Sequence, residues 1–317
     1  METRNFGRLG TVSALTLGGG GIGQVWGTTD RAEAVATVHA AIDAGITHLD
    51  LAPSYGTDFE SERVVGDARP ASDILITTKV QLSERRIDDP VAEMRESLRA
   101  SLKRIGRDHL DLYLLHTQLD PDDRSVSAPD NLGWSRYRDV VVPEFERLRA
   151  AGTIRAWGIT GVGVPRQVLD AVGTDPRPDA AQVIVNALDM SGDMWPYGDV
   201  DRPRNPEIAS AATDAGVPVI AIRAVAAGSL CAALDRPLET DHPAVRDFAR
   251  AEPFRKLAAE LGQPAAVLAH RYALSVPGVA TVVLGVKNRA ELAECVAAAE
   301  QGPLSADELA AVNALRG

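Results

Sequence analysis

The chain has 317 residues, with 33 Lys+Arg against 44 Asp+Glu and a formal net charge of −11, a length that allows one large domain or two ordinary ones. The acidic balance argues against a binder of nucleic-acid backbone, which carries a basic surface. Cys231 and Cys295 give neither a metal-ligand spacing nor a disulfide framework, which fits a reducing, cytoplasmic compartment; METRNFGRLG lacks the apolar core of a signal peptide, and no apolar run is long enough to cross a bilayer.

Taken in order, Asn5–Leu15 opens the chain as a candidate hairpin, and Leu15–Gly19 is the first strand candidate. It runs into Gly18-Gly19-Gly20-Gly21-Ile22-Gly23, which matches G-x-G-x-x-G. A dinucleotide-binding turn of that type needs a helix to open at once. Here Gln24–Thr28 intervenes, so the run reads as a flexible turn that lets the chain approach a ligand. Thr29–Ala44 reads as a helix capped by Thr29 or Asp30 and stopped by Gly45. Ile46–Leu51 is a buried strand that ends in a Pro-containing turn before Tyr55. Ile74–Val80 and Leu110–His116 are the next strands, separated by a helix over Val91–Ile105. Pro143–Ala151 is a helix with proline at its first position. Strands Ala156–Thr160, Ala181–Ala187 and Pro218–Ala224 follow, then helices Phe254–Leu261 and Pro264–Ser275. Ala280–Gly285 is the eighth strand, Arg289–Ala299 the next helix, and Ser305 with Glu308 forms a capping box for a last one.

Most of the eight strands are apolar on both faces, as in a covered parallel sheet. With no linker between them, residues 1–317 are expected to form one α/β domain, a closed (β/α)8 barrel, with an open doubly wound sheet as the alternative. The hairpin then plugs the barrel bottom. Three connections, 117–142, 188–206 and 225–252, are long; each follows a strand, so a barrel puts them at its catalytic end.

Three successive strands deliver ionisable residues at or just beyond their ends: Asp50 with Tyr55, then Lys79, then His116. Each alone has an ordinary structural reading: a carboxylate bonded to backbone, an edge charge, a packed phenol, a satisfied histidine. Together, at the C-terminal ends of neighbouring strands, they point to proton chemistry. A phenol titrates near 10, and a neighbouring ammonium favours the phenolate. Asp50 holds Lys79 charged and in place, His116 bonds the reacting oxygen, and Tyr55 is a general acid or base facing a carbonyl or alcohol.

DLAPSYG followed by SERVVG resembles the aldo-keto reductase signature, and TTKV and LYLLHT resemble that family's next two strand ends. The resemblance runs from the N-terminal hairpin to the closing LSADEL helix. It implies a barrel that binds a nicotinamide dinucleotide without a Rossmann fold, with no metal. By that resemblance Tyr55 exchanges the proton, Lys79 tunes it, Asp50 pairs with Lys79 and His116 orients the substrate oxygen. Gln182 matches a carboxamide ligand. The preceding Ser-Asn pair is Thr160-Gly161 here, so Thr160 keeps a hydroxyl and the amide is lost. Arg223 stands where many members stack a tyrosine on the nicotinamide, and Leu230 lies near the diphosphate. VLGVKNRAELAEC resembles the adenosine-phosphate segment: Gly285 fits a close backbone approach, and Lys287 and Arg289 reach a ribose 2′-phosphate. Glu294 matches an adenine contact whose usual Asn partner is Cys295. Glu291 replaces a phosphate-binding Arg and suits a 2′-hydroxyl better. On Lys287, Arg289 and the family's habit the reading leans to NADP, with NAD as competitor. Trp26, Trp134, Trp195 and Tyr197 fall in the mouth connections as candidate walls for a sugar or planar substrate.

The expectation is a hydride-transferring oxidoreductase acting on a carbonyl or alcohol of a small molecule such as a sugar, lactol, aldehyde or ketone. A redox-sensing regulatory subunit is the alternative, although it has no need of Tyr55 and Lys79. A barrel isomerase or lyase using the same four groups is a third reading.

Overall fold

The computed structural model describes residues 1–84, 87–123, 130–195, 197, 202–234 and 236–316. Parts of the three long connections therefore lie outside the described residues. Strands β1 (Thr3–Asn5) and β2 (Thr11–Ser13) form an antiparallel hairpin. Strands β3 (Leu15–Gly18), β4 (His48–Asp50), β5 (Leu75–Val80) and β6 (Leu110–Leu115) begin the barrel. Two-residue strands β7 (Leu119–Asp120) and β8 (Leu132–Gly133) pair with each other beyond the mouth. Strands β9 (Ile154–Thr160), β10 (Ala180–Ile184), β11 (Val219–Ile222) and β12 (Val279–Leu284) complete it. The eight long strands close in the order β3-β4-β5-β6-β9-β10-β11-β12, all parallel, with β12 returning to β3. The expected (β/α)8 barrel is thus the fold, and all eight strand positions coincide with those read from the sequence to within a few residues.

Parallel strands bury both faces. Outward residues such as Leu49, Ile76 and Tyr113 pack under the helices, while Leu75, Leu112, Leu114, Ala156 and Ile220 point inward. Phe6, Leu9 and Val12 of the hairpin pack on that inward set, so the hairpin does plug the bottom. Above the plug lies a polar layer. Thr281 Oγ1 and Thr16 Oγ1 are 2.7 Å apart, Thr16 bonds His48 Nδ1 at 2.9 Å, and His48 Nε2 bonds Thr77 Oγ1 at 2.6 Å. Strand side chains alternate, so residues two along face the same way. His48 and Thr77 in the lumen therefore set Asp50 and Lys79 one layer higher, at the mouth.

The glycine run departs from its expected role. Gly19–Ile22 is one buried helical turn, not a flexible loop. A Cβ on Gly21 would lie 1.9 Å from the Val286 carbonyl oxygen, so glycine is there because two backbones touch. Four helices of eight or more residues escaped the sequence reading: Glu60–Ala68, Pro165–Gly173, Asn205–Asp214 and Pro243–Arg250; the helix read from Pro143 also begins earlier, at Trp134. The first three lack a side-chain N-cap bond, and the fourth is capped by the ring of His242, an unusual cap. Among the described residues no helix is long and apolar enough to cross a membrane.

Candidate active site

Asp50, Lys79 and His116 leave adjacent strands at the C-terminal mouth, with the His116 N–H bonded to Val80 O at 2.7 Å. Tyr55 reaches them from the turn after β4. Tyr55 donates its N–H to Ala52 O at 3.1 Å, and its carbonyl accepts from Ser61 N at 3.1 Å. Gly56 follows at φ 88, where a Cβ would stand 2.1 Å from the Gly23 carbonyl oxygen. Only glycine meets both demands, so the turn presenting Tyr55 rests directly on the loop after β3.

Lys79 is fully buried and Asp50 nearly so. Lys79 Nζ donates to Asp50 Oδ2 at 2.8 Å and to Leu51 O at 2.6 Å, and lies 4.6 Å from the Tyr55 ring centroid. The other Asp50 oxygen accepts from Gln182 Nε2 at 2.8 Å, across the barrel. Burial pulls the Lys79 pKa down, and Asp50 and Tyr55 together outweigh it, leaving the ammonium above its ordinary value. For Tyr55 the balance differs from the sequence expectation. Burial raises the phenol above its usual range, and Lys79 opposes that rise without reversing it. Tyr55 is therefore a neutral phenol at neutral pH, ready to give a proton. The His116 ring meets Tyr55 edge-on at 5.6 Å, and burial with the Lys79 charge lowers its pKa to about 3. His116 is a neutral imidazole with an N–H to donate.

On the far wall, Thr160 pairs in register with Gln182, and its Oγ1 is buried without a hydrogen-bond partner. An orphaned hydroxyl there fits a carboxamide ligand. Arg223 sits at φ 58, its side chain 8% exposed and bonded through Nη1 to Asp193 at 2.7 Å. Burial lowers its pKa, against the pull of Asp193. The Trp26 indole has Arg223 and Arg236 within 5.9 and 5.4 Å, and a Cβ on Gly285 would touch it at 3.3 Å. Trp26 thus lies on the β12 end, beside candidate cofactor residues. Leu230 is fully buried nearby in sequence to this loop. Glu294 is exposed and Cys295 buried, 3.9 Å from His270. Lys287 and Arg289 are both engaged: Lys287 Nζ with Glu291 at 2.9 Å, and Arg289 Nη2 with Glu33 at 2.8 Å.

The other aromatic candidates divide. Trp195 packs on Tyr197 at 4.9 Å, and the Tyr197 hydroxyl is used by Asp120 at 2.6 Å and Asn131 at 2.8 Å, binding the loops after β6 and β10 together. Trp134 lies against Tyr137 with ring centres 5.5 Å apart and planes tilted by 35°, at the start of its helix. Sequence reasoning passed over Gln118, two residues beyond His116. Its Nε2 bonds Met194 O at 2.9 Å and its Oε1 is buried without a partner, so it also links the mouth loops. Its position on a strand extension was the available signal. Among the described residues no group of His, Cys, Asp or Glu forms a metal centre.

The chain is similar in sequence and fold to known proteins. A family model described as Aldo/keto reductase family matches residues 14–316. An uncharacterized oxidoreductase, YqkF of Bacillus subtilis (strain 168), is 27% identical over 322 residues, covering 96% of this chain and 94% of that protein. L-galactose dehydrogenase of Arabidopsis thaliana is 29% identical over 59% of this chain and 56% of its own length. Among solved structures, aldo-keto reductase AKR11C1 from Bacillus halodurans (holo form) superposes with a TM-score of 0.73 at 25% identity, covering 99% of this chain and 96% of that one.

Proposed function

This chain belongs to the aldo/keto reductase family, and we propose that it is an NAD(P)-dependent oxidoreductase interconverting a carbonyl and an alcohol on a small molecule. The observation that carries the reading is the buried Lys79–Asp50 pair set beneath Tyr55 at the barrel mouth, with neutral His116 on the ring edge. We assign cofactor contacts to Thr160, Gln182, Arg223, Leu230 and Gly285. The orphaned Thr160 Oγ1 supports the carboxamide end of that assignment. Gln182 gives one amide N–H to Asp50 and keeps its oxygen and second N–H for the carboxamide.

When bound, a reduced nicotinamide supplies a hydride to the carbonyl carbon. Tyr55 gives its proton to the carbonyl oxygen as the carbon–oxygen π pair moves there. Lys79 holds the resulting phenolate charge, and Asp50, fixed on both oxygens, keeps Lys79 protonated and aimed. His116 donates its N–H to the same oxygen and stays neutral throughout. In oxidation the proton returns to Tyr55 by the same path. Sugars, lactols, aldehydes and ketones are the proposed substrate classes. A sugar is favoured by the partial likeness to L-galactose dehydrogenase. A cytoplasmic setting is part of the proposal.

The test is single-turnover hydride transfer, followed by nicotinamide absorbance, on a panel of aldehydes, ketones and sugars. Tyr55→Phe is expected to slow it by roughly 10²–10⁴-fold while cofactor still binds. Wild-type rates in Tyr55→Phe would remove Tyr55 from its role.

A further inference from the structure

The turn after β12 opens the helix Arg289–Glu300 and follows the last barrel strand. Loops after the seventh and eighth strands, with a helix N-terminus beside them, are where barrels of this type hold phosphate. In this chain Lys287, Asn288 and Arg289 all donate to carboxylates. Asn288 caps the helix by accepting the Glu291 N–H at 3.0 Å. Glu291 folds back and accepts the Lys287 N–H at 2.9 Å, the Asn288 amide at 3.3 Å and the Lys287 ammonium at 2.9 Å. Glu33, from the helix after β3, accepts the Arg289 N–H at 3.0 Å and clasps its guanidinium at 3.1 and 2.8 Å. The two cations read from the sequence as ligands of a 2′-phosphate each already face a carboxylate, and the Lys287 backbone N–H also serves Glu291.

We infer that Glu291 occupies the place of a 2′-phosphate, so that this chain selects the dinucleotide with a free ribose 2′-hydroxyl, NAD(H) over NADP(H); the inference rests on the proposed nicotinamide-dependent function. A 2′-phosphate brings about two negative charges to a turn that already carries Glu291 and Glu33. To be bonded by Lys287 it must displace Glu291 from the ammonium and from the backbone N–H, and it then stands beside the displaced carboxylate. A 2′-hydroxyl makes no such demand. It donates to the Glu291 carboxylate where that carboxylate stands and accepts from Lys287, so the existing pair becomes the recognition element. The sequence-based lean toward NADP counted the cations of this turn, and the side-chain arrangement adds the anions that neutralise them.

Equilibrium titration decides it, using the full-length protein and quenching of tryptophan emission or enhancement of reduced-nicotinamide emission. ADP-ribose and 2′-phospho-ADP-ribose are titrated by calorimetry as probes of the adenosine end alone. Wild type is expected to bind NADH at least about tenfold more tightly than NADPH, since like charges forced together cost on the order of kilocalories. The same order is expected for the ADP-ribose pair. Glu291→Gln keeps the side-chain length and an oxygen for the Lys287 N–H but removes the charge. It is expected to raise the affinity for NADPH and for 2′-phospho-ADP-ribose by about tenfold relative to their unphosphorylated partners, with the gain lost at high salt. NADPH binding as tightly as NADH to wild type, or an unchanged ratio in Glu291→Gln, overturns the inference and leaves the proposed function standing. Failure of all four ligands to bind overturns both.

Discussion

Two lysine–carboxylate pairs in this molecule have nearly the same length and opposite settings. Lys79–Asp50 spans 2.8 Å with side chains 0% and 2% exposed, and Lys287–Glu291 spans 2.9 Å with side chains 14% and 35% exposed. The distance therefore says little about what each pair does. In the barrel mouth, water cannot replace a lost partner, so each charge depends on the other and on Leu51 O and Gln182. On the rim, water reaches the Glu291 carboxylate, so that neither charge depends wholly on the other, although an incoming anion still meets the Glu291 charge. The first setting suits a charge that must stay put during proton transfer. The second suits recognition of a ligand.

Breaking each pair sharpens that contrast. Lys79→Met leaves Asp50 buried and unpaired and is expected to cost about 3–5 kcal/mol in urea unfolding, along with activity. A loss below about 1 kcal/mol would mean that water reaches the pair and that the two settings are alike. Next in size is the lumen histidine beneath it. Burial lowers the His48 pKa to about 4, below its ordinary 6.5. Between those values the unfolded chain takes a proton that the folded one refuses. Stability should therefore fall as pH drops from about 6.5 to 4, by at most about 3 kcal/mol from this group. Unfolding across that range should show a flatter slope in His48→Asn, and identical slopes would refute the assignment. Thr160→Val removes an orphaned hydroxyl, so unfolding should change by under about 1 kcal/mol. Cofactor affinity should nonetheless weaken by a few-fold if the hydroxyl meets the carboxamide, and equal affinity would place the carboxamide elsewhere. Smallest is Glu291→Gln, which on the rim should alter stability by less than about 1 kcal/mol. A larger loss would make Glu291 a structural group first.

The barrel was legible because parallel strands with both faces covered are short apolar runs, and all eight stand out as such. Asp50, Tyr55, Lys79 and His116 were legible together because strand ends deliver them in succession. What stayed hidden depends on partners distant in sequence. The four missed helices are held by packing or by caps outside the usual set. That Gly21 is glycine for the sake of Val286 is invisible without the barrel closed. The Tyr55 balance turned on burial, which a list of charged neighbours does not contain. The Arg289–Glu33 contact joins residues 256 apart, a separation at which no local pattern announces it.

The hydroxyl contact between Thr16 and Thr281 joins residues 265 apart, whereas Asp50 and Lys79 are 29 apart. During synthesis the Asp50–Lys79 pair is within reach of closure early, once the third barrel strand has emerged. The lumen layer is complete only when the last strand has emerged and docked on the first. Until then β3 and β11 each carry an unpaired edge, which is where a nascent chain of this kind is exposed to wrong partners. The last strand thus acts as the clasp of the ring. Slowing its arrival should test how long the open sheet survives, not whether the Asp50–Lys79 pair forms.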